Sequence, residues 1–149
     1  MPRLILFVPC DKVLIDQDGR TSLIALWDTV TLGVASNMDV PRELVIPVRW
    51  SIVSLWERTP EDGDTTYEQR TYLRLPDGEI QGETTHTFTM TQRRHQTVAN
   101  ASNFPVGQGG DLQIVLEIRE VGQDEWRPVS EYTITVTYKS SEEDDADEE

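Results

Sequence analysis

Side chains able to do covalent or metal chemistry are scarce in this chain: one cysteine, Cys10, and two histidines, His86 and His95, among 149 residues. Cys10-Asp11 closes the first apolar run, a position from which a thiol could project. A cysteine nucleophile needs an imidazole within hydrogen-bond reach and donors for an oxyanion, and no motif joins Cys10 to either histidine. The thiol therefore reads as a small packing group, with a shallow enzyme site around Cys10, Asp11, His86 or His95 as the lesser alternative. The histidines do not read as a metal pair. Where Thr85, Thr87, Thr89 and Thr91 alternate with His86, Phe88 and Met90, His86 falls on the more apolar face, which suits packing. His95 follows Arg93-Arg94, whose charge opposes a cation. No catalytic, cofactor-binding or metal-binding residue is assigned.

Two acidic segments, Asp16-x-Asp18-Gly19 and Glu61-Asp62-Gly63-Asp64, resemble calcium loops. With Gly19 at the sixth position of an EF-hand loop, Leu14 would stand first and Ala25 twelfth, so the bidentate glutamate is missing. Turn chemistry accounts for both segments. The alternative is a calcium or small-ligand site between end loops of a sandwich. Arg70, Tyr72 and Arg74 would form a basic, aromatic patch with Arg93 and Arg94 if their strands were neighbours; ordinary pairing with acidic residues is the competing reading. The rows Thr85-Thr87-Thr89-Thr91 and Thr133-Thr135-Thr137 suit the solvent face of strands, since threonine is both β-branched and polar.

These residues must be positioned by strands. Nothing in the chain has the 3.6-residue apolar period of an amphipathic helix. Leu4 to Val8 is apolar on both faces, as in a strand covered on two sides. Lys12–Asp16 and Thr21–Thr31 flank Asp18-Gly19, a tight-hairpin signal. Residues 33–43 read as a loop. Leu44, Ile46, Val48, Trp50 and Ile52 then share one face of a strand in which Pro47 marks a bulge or an edge. Turns at Thr59–Asp64 and Pro76–Glu79 bound a strand from Thr66 to Leu75, and Ile80–Gln92 alternates again toward Val98. After a long loop at Asn100–Gly110, the last hairpin pairs Leu112–Val121 with Trp126–Tyr138. Leu112, Ile114, Leu116 and Ile118 face inward there, opposite Ile134 and Val136. Eight or nine strands at this spacing predict an all-β, antiparallel two-sheet β-sandwich of immunoglobulin-like or C2-like character. Its four tryptophans are expected largely in or beside the core.

Length suits one domain, expected over residues 1–138 and followed by a disordered acidic tail at 139–149. The formal charge is −14, and seven of the negative charges fall in the last eight residues, leaving −7 elsewhere. Like charges at that density repel and have no apolar surface to bury. The tail would serve solubility, or alternatively docking of a basic partner. Without a basic stripe nucleic acid is excluded as an expected partner. No run approaches the ~18 apolar residues of a membrane span, no leader pattern precedes the first strand, and one cysteine permits no internal disulfide. A cytoplasmic location follows.

The opening Leu4-Ile5-Leu6-Phe7-Val8-Pro9-Cys10-Asp11-Lys12-Val13 leads through Asp18-Gly19-Arg20 to Thr21-Ser22-Leu23-Ile24-Ala25-Leu26-Trp27-Asp28, and Asn103-Phe104-Pro105-Val106-Gly107 precedes the last hairpin. This pattern resembles a broad family of small bacterial proteins of undefined function and spans most of residues 3–138. The resemblance implies a β-sandwich and carries over no site residue; the acidic tail is not part of it. The function expected is non-enzymatic: a protein-binding or adaptor module, with an unidentified protein partner or a homodimer formed through an exposed sheet edge.

Overall fold

The structure, a computed structural model, describes residues 1–140. The acidic run at 142–149, in which a disordered tail is expected, lies outside them. Among the described residues every regular element is a strand: β1 (Arg3–Ile15), β2 (Thr21–Leu26), β3 (Thr29–Val34), β4 (Val45–Ile46), β5 (Trp50–Glu57), β6 (Thr66–Arg74), β7 (Ile80–Thr89), β8 (Arg94–Ala101), β9 (Phe104–Pro105), β10 (Gly110–Glu120) and β11 (Arg127–Ser140). They form a β-sandwich. One sheet has the order β2-β1-β5-β8, the other β3-β11-β10-β6-β7, and β4 pairs with β9 in a two-residue ladder. Neighbours are antiparallel except β3 and β11, which run parallel. The chain passes between sheets at both lateral edges, from β2 to β3 through Trp27-Asp28 and from β7 to β8 through residues 90–93.

Alternation places the core. Leu112, Ile114, Leu116 and Ile118 on β10 are buried beside Ile134 and Val136 on β11 and Tyr67 and Leu73 on β6, facing Trp50, Ile52 and Trp56 of β5 in the other sheet. Strand β1 carries buried residues on both faces, Phe7 on one and Val8 and Cys10 on the other. Leu4, Phe7 and Pro9 pair with Trp56, Ser54 and Ile52 on the inner face, whereas Leu6, Val8 and Cys10 pair with Leu55, Val53 and Ser51 on the outer one. A bulge at Ile5 lets both sets find their faces. One end of the sandwich is closed by aromatic rings: Trp27 stacks on Trp50 at 5.2 Å, and Phe104 meets both edge-on at 5.2 and 5.4 Å. Trp50 Nε1 donates to the Asn103 carbonyl at 2.8 Å, fixing that ring.

Three expectations are corrected. Residues 44–52 are not one strand: after β4 the Val48 N–H donates to the Ile46 carbonyl across Pro47, and the ladder resumes only at Trp50. Thr21–Thr31 is split between the two sheets at Trp27-Asp28. That split, with the two-residue β4 and β9, raises the strand number to eleven. Lys139 and Ser140 belong to β11, paired with Gly33 and Val34. Trp126 does not join the core. Its ring lies on the outer face of the five-stranded sheet between the Arg70 and Arg119 guanidiniums, at 4.5 and 4.1 Å, where cation–π attraction replaces burial among apolar groups.

Ala25 is the one non-glycine with positive φ among the described residues, at 58°. It sits where β1–β2 pairing lapses opposite Asp11. A Cβ in this region is opposed by the backbone, so Ala25→Gly is expected to stabilise the domain by about 0.5–1 kcal/mol, read as a higher urea midpoint at unchanged slope.

Candidate functional site

Two regions bring functional side chains together. The first is the lateral edge where β7 of one sheet meets β8 of the other. On the inner faces, His86 pairs laterally with Gln69, and His95 with Trp56. The two imidazoles, on different sheets, approach with Nε2 atoms 3.3 Å apart. Their centroids are 5.6 Å apart and their planes 17° apart, so the rings meet nitrogen to nitrogen rather than face to face. Phe88 stacks on His95 at 4.6 Å and holds it in place. Burial, and after it the neighbouring His86, holds His95 below the ordinary imidazole value, which keeps a lone pair available at neutral pH.

Around this pair the inter-sheet space is polar. Trp56 Nε1 donates to Gln69 Oε1 at 2.8 Å, and Gln69 Nε2 donates to Ser54 Oγ at 3.4 Å. Thr97, two residues from His95 on the same inner face, is 8% exposed, and its Oγ1 has no hydrogen-bond partner. Further along, the same edge opens into a cavity of about 110 Å³ bordered by Trp50, Ile52, Leu73, Thr84 and Ala99. Sequence reasoning had the histidines' faces in part, but nothing in a nine-residue separation says that they face one another across two sheets.

Arg94 does not crowd this pair. Arg94, exposed on the outer side, lies 4.0 Å from Glu57, and the Arg93 carbonyl accepts from the Arg58 N–H. Nor do they join Arg70, Tyr72 and Arg74, which lie on the other sheet. There Arg70 pairs with Glu117 at 2.7 Å, Arg74 with Glu131 at 3.1 Å and Arg119 with Glu68 at 3.3 Å. Cross-strand pairing with acids explains that patch.

The second region is the end of the β1–β2 ribbon. The last β1–β5 pair is Cys10 with Ser51, whereas the β1–β2 ladder runs on to Ile15 with Thr21. The ribbon therefore projects past the sheet. Its tip is a designed turn: Asp16 Oδ1 accepts from the N–H groups of Asp18 and Arg20, both at 2.9 Å, and Gly19 has φ of 77°. That carboxylate serves the turn. Leu14, Ile15 and Leu26 are 52%, 65% and 56% exposed, with Ile24 beside them. Between the ribbon and the β5–β8 end lies an open groove of about 630 Å³ that includes Lys12, Leu14, Arg49, Ser51 and Asn100.

Cys10 is fully buried, on the outer face and across β5 from the β8 histidine strand. Burial first, then the Asp11 charge, raises its pKa, which disfavours the nucleophilic thiolate. Thus Cys10 and Asp11 are not brought to either histidine. In the second acidic segment Asp62 turns inward. It is fully buried, accepting from the Thr59 N–H at 2.7 Å and the Tyr67 hydroxyl at 2.8 Å, with the Met1 ammonium at 3.2 Å. Neither segment gathers three potential metal-ligating side chains, and no such cluster of His, Cys, Asp or Glu occurs among the described residues.

No protein-family model matches the chain, and no curated protein matches it. Solved structures of similar outline include an immunoglobulin-like protein from Pseudomonas aeruginosa, 11% identical with a TM-score of 0.40, covering 91% of this chain and 96% of the other. Another is the N-terminal domain of PorA, 9% identical with a TM-score of 0.36, covering 90% and 98%. No helix among the described residues is long and apolar enough to cross a membrane.

Proposed function

We propose that this β-sandwich is a non-enzymatic, cytoplasmic protein-binding module that uses the projecting β1–β2 ribbon and its adjoining groove to hold an extended apolar segment of a partner. The observation that carries the reading is the exposed set Leu14, Ile24 and Leu26 on one face of a ribbon that leaves the sheet. A two-stranded ribbon is marginal alone, and contiguous exposed apolar surface marks interaction sites. β2 is also a sheet edge, so its outward N–H and C=O groups can accept an added strand over Thr21–Ile24; beyond that, Ala25 kinks the edge. The charge of −14 disfavours a second copy of the chain and favours a partner with basic residues flanking the apolar ones. Membership among small bacterial β-sandwich proteins is part of the same proposal and rests on the motifs at the two ends of the domain.

The test compares the wild-type protein with a Leu14→Lys/Ile24→Lys/Leu26→Lys variant in sedimentation and in affinity capture from source-cell lysate. The expected result is a monomer in both, with a partner held by the wild type and lost by the variant at unchanged melting temperature. Equal capture by both proteins, or wild-type self-association abolished by the variant, would overturn the heterologous reading.

A further inference from the structure

His86 and His95 belong to different sheets, and their Nε2 atoms are the closest points of the two rings. We propose that this pair is a binding site for a late first-row divalent ion of the zinc class, which ties the β7 edge of one sheet to the β8 edge of the other. Zinc–imidazole bonds of about 2.0–2.1 Å in tetrahedral geometry place two ligand nitrogens about 3.3–3.4 Å apart. The observed separation is 3.3 Å, so a rotation of each ring directs both lone pairs to one ion without moving the strands apart. Without metal, one ring donates its Nε2–H to the other; when the ion binds, the donor ring takes its Nδ1–H tautomer, so both neutral imidazoles present an Nε2 lone pair and no net proton is released.

Three further features fit an ion rather than packing alone. Thr97 Oγ1, buried on the same inner face as His95, has no partner in the protein, and a water completing the ion's coordination supplies one. Phe88 and Trp56 wall the site with apolar surface, and the Gln69 side chain beside His86 is fixed by Trp56 and Ser54. Arg94, adjacent to His95 in sequence, lies on the opposite face of β8 beside Glu57. Imidazole ligands select zinc, copper and nickel over magnesium and calcium, which prefer oxygen. With two protein ligands the site keeps open positions for solvent or an exogenous donor.

The experiment is calorimetric titration of the full chain with zinc chloride at neutral pH, beside magnesium and calcium chlorides, together with imidazole-selective ¹H–¹⁵N spectra. The expected result is one zinc ion bound, a raised melting temperature, and displacement of both Nε2 resonances by zinc only. Loss of a supporting neighbour alone typically costs about 10–100-fold in metal affinity. His86→Gln and His95→Gln should therefore each weaken zinc binding at least about tenfold. The double variant separates this site from the acidic C-terminal run: zinc binding that it retains in full would overturn the proposal. So would wild-type spectra in which zinc leaves both Nε2 resonances in place, a readout that does not depend on any variant folding. Either result would leave the pair as a hydrogen-bonded contact between sheets.

Discussion

Phe104→Ala is expected to destabilise the domain by about 3–5 kcal/mol, the range for removing a buried aromatic ring. The side chain is fully buried, and it is the edge on which the stacked Trp27 and Trp50 rings close. Its strand, β9, is two residues long and is held by pairing with Val45 and Ile46. The surroundings cannot collapse readily into the space. Trp50 is tethered through its indole N–H to Asn103, and the adjoining segment is pinned by the Val106 N–H donating to Leu44 and by the Tyr138 hydroxyl donating to the Val106 carbonyl. A cavity therefore remains, and its cost adds to the lost transfer energy. Phe104→Leu should lose less, because part of the volume stays filled. Urea unfolding followed by tryptophan fluorescence measures both, and near-UV circular dichroism reports whether the Trp27–Trp50 stack loosens. A loss below about 1 kcal/mol for the alanine variant would mean that this ring does not seal the end of the sandwich.

Asp62→Ala is expected to cost about 3 kcal/mol, because a buried charge network loses its acceptor while its donors remain. The Tyr67 hydroxyl, the Thr59 N–H and the Met1 ammonium all converge on this carboxylate. Burial opposes ionisation of Asp62, but the Thr59 and Tyr67 hydrogen bonds and the ammonium outweigh it and hold the carboxyl below its ordinary value. The same contact works on the phenol: burial first, then Asp62, pushes Tyr67 up to about 12. A carboxylate with a depressed folded-state pKa contributes stability that is complete above its unfolded value of about 3.9 and is lost as pH falls through the folded value. Wild-type stability should therefore fall below about pH 4 with a component that Asp62→Ala lacks. Tyr67→Phe removes one donor and leaves the carboxylate two partners, so it should cost less, about 1–2 kcal/mol. A double-mutant cycle between Asp62 and Tyr67, repeated at neutral and acid pH, checks the assignment. Coupling that does not shrink in acid would refute it.

Residue types and local spacing determined a good deal about this protein. The strict alternation of Leu112, Ile114, Leu116 and Ile118 named the inner face of β10. Asp18-Gly19 and Asp77-Gly78 marked turns whose glycines have φ of 77° and 93°. The absence of any 3.6-residue apolar period excluded helices in favour of a sandwich. Apolar residues on both sides of Leu4–Val8 marked a strand covered on both faces, where Phe7 and Val8 are both buried. All of these follow from interactions within one strand or one hairpin, and a period of two residues records them directly.

Tertiary structure decided what depends on which strand lies beside or above which. It set His86 against His95 across two sheets, turned Asp62 from a surface turn into a buried acceptor, laid Trp126 between two arginines on an outer face, and left the β1–β2 ribbon without a third strand. Alternation tells which side chains share a face, but it is silent about the neighbour across a sheet or between sheets. Those neighbours are chosen by long-range pairing of the whole chain, where burial of every strand is satisfied at once.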